Sequence, residues 1–339
     1  MLYSEIDLTQ LLCNLDAIKR IAKKDVIPVI KSDAYRLGAI EIGKFLSLNN
    51  IKLMAVVDIN EAIAVANVKS DLLVLNGISA NDYHILNKFD NFVLTINSRE
   101  DAINLANYTF SRKVKAHFKI NVGINRSGFD NYDEFQKTYN LVSKNPQIII
   151  EGIYTHFTDS KNHKSQEENF ASFLKDYNFK YIHCAASSTY LHSQVGNYTR
   201  IGVDLFGDGL VNKQIVRIIT KPLFIKEVKK GDTIGYDRAY QALEDELIAV
   251  LPIGYYNGFG RRLAGFPVLI NNKRYPTVGK VCMNHLFVRV DNEVRIDSEV
   301  IITSPDLPIH EMAKYLQTIS HEVLCMLNIN DKRYIGAIK

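Results

Sequence analysis

Five polar groups in the first two hundred residues stand at or just past the ends of short apolar runs, and their types suggest one chemistry. The run Val26-Ile-Pro-Val-Ile drives into Lys31, followed by Ser-Asp-Ala-Tyr35-Arg-Leu-Gly38. A second run holds Lys119 and leads through Asn121-Val-Gly-Ile-Asn to Arg126. A third ends in Thr155 and His156, a fourth is followed by Ser187 and Ser188, and a fifth begins with Arg200. Taken singly, such a lysine or arginine is most often a solvated surface group, and such a histidine a core hydrogen-bond partner. Together, two lysines, two arginines and hydroxyls describe a pocket that accepts anions, suited to a phosphate and a carboxylate. A lysine with its stem among apolar residues is also the residue type that forms Schiff bases with carbonyl compounds.

The elements that must position these groups follow a regular rhythm. Residues 7 to 24 carry apolar side chains at helical spacing. β-rich runs then occur at about 27–31, 53–57, 72–76, 92–96, 114–120, 148–155, 180–185 and 199–206. Helical periodicity lies between most of them, as in the segments starting at Asn60, Arg99, Tyr132 and Glu167. Eight strands alternating with helices over about 200 residues is the count of an α/β protein of the (β/α)8 barrel type. An open doubly wound sheet is the competing reading. No glycine-rich turn follows the first run to cradle a dinucleotide, which disfavours it. Past residue 212 the helical patterns vanish until Glu311. Runs such as Glu246-Leu-Ile-Ala-Val-Leu and Pro267-Val-Leu-Ile alternate with turns such as Lys230-Gly-Asp and Asn271-Asn-Lys. The expected organisation is a barrel over 1–212 and a mainly β C-terminal domain over 213–339, with the first few residues able to join the second.

Composition narrows the function. The chain has 339 residues, 47% of them hydrophobic, with 41 basic and 37 acidic side chains interspersed. No basic stripe points to nucleic acid and no polybasic segment to a membrane surface. No apolar window approaches a membrane span, and the amino terminus has no signal-peptide core. Four cysteines without paired spacing fit a reducing compartment, so a cytoplasmic location is expected. His310-Glu311 and His321-Glu322 each begin like a zinc motif but lack the second histidine, so no metal is expected.

Over nearly its whole length the sequence resembles the alanine racemase family, the fold-type III pyridoxal-phosphate enzymes. Pro28-Val-Ile-Lys31-Ser-Asp-Ala-Tyr35 is similar to that family's cofactor-lysine signature. The resemblance implies pyridoxal 5'-phosphate as cofactor, Lys31 as its Schiff-base lysine and Tyr35 as a phosphate contact. Phe118-Lys119-Ile-Asn-Val-Gly-Ile-Asn-Arg126 resembles the segment whose lysine is often carbamylated and whose arginine meets the substrate carboxylate. Gly152-Ile-Tyr-Thr-His156 resembles the segment with the histidine that buttresses the pyridine-facing arginine, and His183-Cys-Ala-Ala-Ser187 the one with a phosphate-binding serine. Arg200-Ile-Gly202-Val203 would supply that arginine and two phosphate-binding amides. Lys230-Gly-Asp-Thr-Ile-Gly-Tyr236 resembles the segment of the second catalytic base, which in the family comes from the partner subunit, implying a homodimer with shared sites. Tyr255 and Met283 lie in two further signatures placed near the substrate.

The implied activity is racemisation of a small amino acid by two bases, Lys31 and Tyr236, most simply alanine. Racemisation of serine or another small amino acid, and a pyridoxal-phosphate carrier with little catalysis, are the alternatives. A fold-type III decarboxylase is disfavoured by the chain's length. Several positions depart from the family pattern. Tyr35-Arg-Leu-Gly replaces the usual Tyr-Gly-His-Gly, Asn121-Val-Gly replaces Asp-Thr-Gly, and Met283-Asn284 replaces Met-Asp. His321-Glu322 stands where the family commonly has Tyr-Glu, whose tyrosine touches the phosphate and limits the substrate pocket.

Overall fold

The computed structural model describes residues 1–158, 160–161, 163–208 and 212–336. The chain divides into two compact units, one of Leu15–Ala34 and Gly38–Leu205, the other of Met1–Asn14, Tyr35–Leu37 and Phe206–Lys339.

The first unit is a parallel barrel. Its strands in chain order are Asp25–Pro28, Leu53–Val56, Asp71–Val74, Phe92–Ile96, Val114–Lys119, Ile148–Tyr154, Tyr181–His183 and Tyr198–Ile201. Each pairs in parallel with the next from the second strand to the eighth, and the eighth pairs with the first. The ring is nearly closed by a single bridge, Val29 to Ala55, with Ile30 N–H donating to the Ala55 carbonyl at 2.9 Å. The eight expected runs are thus the eight strands, most of them trimmed by a residue or more. Strands buried on both faces read as continuous apolar runs, which is why they were visible. The connecting helices start where side chains can cap them: Asp58, Ser98 and Asn131 each accept hydrogen bonds from N–H groups of the first turn. Ile27, Val29, Leu53, Ala55, Leu73, Val93, Tyr154 and Tyr181 form a packed cluster of buried side chains.

The second unit is built on a sheet of nine described strands. Their order across it is Phe224–Val228, Glu246–Leu251, Leu286–Val290, Lys273–Val278, Pro267–Ile270, Val300–Thr303, Val216–Thr220, Leu2–Asp7 and Lys332–Ile335. All neighbours are antiparallel except the last pair. Two helices, Ile309–Leu316 and Ser320–Met326, form where the helical pattern returns near Glu311. The strand Leu2–Asp7 was not among the expected runs. Its alternation of half-buried and buried residues puts Ser4 and Ile6 inward and its acidic side chains outward, a pattern too polar to stand out.

Leu2–Asp7 lies between Val216–Thr220 and Lys332–Ile335, and Ile6 is fully buried. Ile6→Ala should therefore destabilise the protein by about 2–5 kcal/mol. A urea midpoint for this variant equal to that of wild type would show that the strand is dispensable.

Candidate active site

In a parallel barrel, side chains at the carboxyl ends of the strands converge on one mouth. Lys31 follows the first strand, and its flanking Val29 and Ile30 continue the ladders toward the eighth and second strands, Val29 N–H donating to the Ile201 carbonyl at 2.8 Å. What comes next is unusual. Ser32, Asp33, Ala34, Tyr35 and Arg36 all have φ between 50° and 70°, so the chain makes a left-handed turn with no glycine in it. Each such residue costs about 1–2 kcal/mol. The turn is held from outside by side chains. Glu61 accepts from the Ser32 N–H at 2.6 Å with one oxygen and from the Val57 N–H at 2.9 Å with the other. Asp33 accepts from the Ala39 N–H at 2.8 Å and so caps the following helix, Ala39–Leu48. Glu61 was missed in the sequence because its role depends on a loop conformation that has no local signal.

Arg200 is the centre of the polar interior. It is only 4% exposed, and its guanidinium donates to the carbonyls of His183 at 2.8 Å, Thr155 at 2.6 Å and Cys184 at 3.4 Å. It also meets Nδ1 of His183 at 2.8 Å and Nδ1 of His156 at 3.2 Å. A guanidinium has no lone pair to offer, so both Nδ1 atoms are acceptors and both rings carry their proton on Nε2. Burial lowers the Arg200 pKa to about 10, which still leaves it charged at neutral pH. Burial, and then the charges of Arg200, Arg126, Lys119 and Lys31, push His156 down to about 3. His183 is likewise driven well below the ordinary imidazole range by burial, Arg200 and His117. Under the guanidinium lies the ring of Tyr154, 5.0 Å away, stacked in turn on His183 at 4.8 Å.

Lys119, at the end of the fifth strand, is 4% exposed and donates to the Ser127 hydroxyl at 2.6 Å. Burial, followed by repulsion from Arg126 and Arg200, lowers its pKa to about 8. Lys119 thus carries a minor neutral fraction at neutral pH that an ordinary lysine lacks. The loop that carries the exposed Arg126 is organised by Asn121. Its Oδ1 accepts from the Gly123 and Asn125 N–H groups at 3.2 and 2.9 Å, and its Nδ2 donates to Asp130 at 2.6 Å. Past the seventh strand, the Ser187 hydroxyl accepts from the Gly202 N–H at 3.3 Å, and Val203 opens the short helix Val203–Phe206. The structure thus gathers Lys119, His156, Arg200 and the flanking Ser187, Gly202 and Val203 on consecutive strand ends of the barrel unit, with Lys31 beside them on the paired first strand.

The remaining candidates belong to the β unit. The Tyr35 ring lies 5.4 Å from Phe206 and 5.9 Å from His321, tilted against both, and burial, with Cys325, raises its pKa well above the ordinary phenol range. Tyr236 is 67% exposed and sits in a tight turn after Gly235, whose φ is 74°. Lys280 pairs with Asp237 next to it. Tyr255 and Met283 are exposed as well; the Tyr255 N–H donates to the Cys282 carbonyl at 3.1 Å.

The shift on His156 has a consequence for stability. Its ordinary pKa is about 6.5 and its folded value about 3, so the unfolded chain binds the extra proton in that window. Stability from keeping this ring neutral is complete above pH 6.5 and is lost as pH falls toward 3. His156→Gln keeps an acceptor for Arg200 and cannot charge. Its urea midpoint should fall less than that of wild type between pH 7 and pH 4.5, whereas parallel pH profiles would contradict the placement of a neutral His156 against Arg200.

Comparison with known proteins gives the family. The model of the alanine racemase N-terminal domain matches residues 6–209, and that of the alanine racemase C-terminal domain matches residues 215–335. An alanine racemase of Borreliella burgdorferi is 31% identical, the match covering 97% of this chain and 95% of that protein. The crystal structure of alanine racemase from E. faecalis superimposes with a TM-score of 0.91 at 27% identity, covering 98% of this chain and 97% of that one. The histidine racemase of Leuconostoc mesenteroides shares the fold, with a TM-score of 0.86 at 21% identity over 98% of this chain and 97% of that one. The chain belongs to the alanine racemase family and is a racemase of that fold.

Proposed function

We propose that the protein interconverts L- and D-alanine with pyridoxal 5'-phosphate held at the barrel mouth, using Lys31 and Tyr236 as its two bases. The observation that carries this reading is that the strand leading to Lys31 pairs directly with the strand of Arg200, Ile27 lying opposite Arg200. The donor set fits the cofactor. Lys31 offers an amine to its aldehyde, Arg200 a permanent charge to its ring nitrogen, and Ser187 with the Gly202 and Val203 amides a cradle for its phosphate. When bound, the pyridine ring acts as an electron sink that acidifies the substrate Cα–H.

The protein's own groups then divide the work. Lys31 moves the Cα proton on one face. Tyr236, supplied by a second copy of the chain, does so on the other. Arg126 binds the substrate carboxylate. Arg200 cannot readily give up a proton, so it leaves the ring nitrogen unprotonated and disfavours transamination. By resemblance the phosphate set extends to Tyr35 and His321, with His156 buttressing Arg200, and the substrate set to Tyr255 and Met283. Lys119, with its lowered pKa, is the candidate for carbamylation by carbon dioxide, which would place an anion beside Arg126. The exposed Tyr236, Tyr255, Tyr256 and Met283 suit a surface that a second copy covers, making a homodimer with shared sites. Four cysteines in no disulfide fit the cytoplasm. No described helix is long and apolar enough to cross a membrane.

A second reading, serine or another small amino acid as substrate, is favoured by His321, whose shorter imidazole stands by Tyr35 where the family usually has a tyrosine. Purified protein loaded with cofactor should incorporate solvent deuterium at Cα of L-alanine and yield both enantiomers. Faster exchange of serine in a panel of amino acids would assign the substrate differently, and no exchange of any would overturn the racemase assignment in favour of a carrier. Tyr236→Phe should slow abstraction from one enantiomer by about 10²–10⁴-fold, and full racemisation by that variant would contradict the two-base scheme.

A further inference from the structure

The interior of a (β/α)8 barrel is ordinarily filled by layers of branched apolar side chains. Here two imidazoles, His117 and His183, stand inside it with no solvent exposure. Nε2 of His183 lies 3.0 Å from Nδ1 of His117. Because Arg200 makes Nδ1 of His183 an acceptor, the His183 proton is on Nε2 and is donated to His117. Nδ1 of His117 is then the acceptor, and its own proton sits on Nε2, on the far side of the ring. That atom faces Oε1 of Glu151 at 3.8 Å, and neither of the two buried atoms has another hydrogen-bond partner among the described residues. The spacing is about 1 Å beyond a hydrogen bond, a gap that a small side-chain shift closes.

The backbone is shaped to bring these two groups together. Ala116 pairs with Ile150 but His117 pairs with Gly152, so Glu151 is the extra residue of a bulge in the sixth strand. A bulge re-aims a side chain, and Glu151 is accordingly only 8% exposed. Gly152 lies flat against the His117 ring: a Cβ there would come within 2.6 Å of three ring atoms. Other charges nearby are accounted for. Lys180 approaches the second Glu151 oxygen at 3.6 Å, and Lys115 is paired with Asp71 at 2.6 Å. Burial lowers the His117 pKa against the pull of Glu151 and Asp71. For Glu151, burial is outweighed by His117, Lys180 and Lys115, and it stays ionised.

We propose that His117 and Glu151 are positioning residues for Arg200. They form the inner end of a one-way hydrogen-bond chain, Arg200 to His183 to His117 to Glu151, that fixes both rings as Nε2–H tautomers. The five acceptors around Arg200 are carbonyls and imidazole nitrogens, none of them a carboxylate. Glu151, at the other end of two polarised imidazoles, is the anion on which the chain ends. The catalytic meaning of this chain rests on the reading of Arg200 as the group facing the cofactor ring, but the tautomers do not.

Long-range ¹⁵N–¹H correlation spectra of the cofactor-loaded protein with labelled imidazoles test the proposal between pH 6 and 8. Both rings should be neutral and protonated on Nε2. Glu151→Leu should give His117 a mixture of tautomers. Glu151→Gln, whose amide oxygen still accepts, should keep the wild-type pattern while kcat falls by about tenfold at little change in KM, the low end of what loss of an outer partner costs. A proton on Nδ1 of either ring in wild type overturns the chain, a measurement that needs no variant to fold. An unchanged His117 tautomer in Glu151→Leu overturns it equally. The expected tautomers in a protein that racemises nothing would uphold the chain and count against the racemase reading alone.

Discussion

Arg200 is a cation sealed inside a barrel, and much of the interior is arranged to make that tolerable. An unpaired buried charge costs many kcal/mol unless hydrogen bonds replace its water. The replacements come from the backbone at the ends of the sixth and seventh strands, whose carbonyls of Thr155, His183 and Cys184 turn inward to the guanidinium. Those contacts tie the sixth, seventh and eighth strands together where the mouth residues emerge. They also bear on the state of their neighbours, because a histidine that is buried and must accept from an arginine stays neutral. Thr155 adds a further tie, its hydroxyl donating to the Ile120 carbonyl at 2.8 Å beside Lys119. A single charge thereby organises strand-end geometry and the tautomers of the imidazoles around it.

Lys31 is held by a different device. Five consecutive left-handed residues without glycine store strain of several kcal/mol, about 1–2 for each. Strained backbone persists where surrounding structure over-determines it. Here Glu61, Asp33 and the Ala34 N–H, which donates to the Ile30 carbonyl at 2.9 Å, do so. The result is a lysine whose chain direction is fixed on both sides, by a strand ladder before it and a rigid turn after it. A side chain on such a base can be aimed, whereas one on an ordinary loop wanders.

The barrel was legible because strands buried on both faces are apolar throughout and the helices between them carry capping residues. The mouth was legible because Lys31, Lys119, His156, Ser187 and Arg200 each interrupt or end such a run. What could not be read depends on backbone departures that leave no local mark. Nothing in Ser32-Asp-Ala-Tyr-Arg36 announces a left-handed turn, since glycine is the usual sign of one. Glu151 alternates as an outward residue until the bulge turns it in. His117 carries a weaker clue: it lies two residues before Lys119, on the same face of a strand, and so points into the barrel. In the β unit, a strand such as Phe224–Val228 leaves a weak signal because its burial is irregular and largely exposed. The pairing of Leu2–Asp7 leaves no local mark either, since its partners lie more than two hundred residues away.

In the proposed assignment Lys31, and not the more buried Lys119, carries the cofactor. Reduction of the loaded protein with borohydride would make that bond permanent, and peptide mass mapping would locate it. The account predicts the cofactor mass on the peptide containing Lys31. A label on the Lys119 peptide, or no covalent label at all, would contradict it.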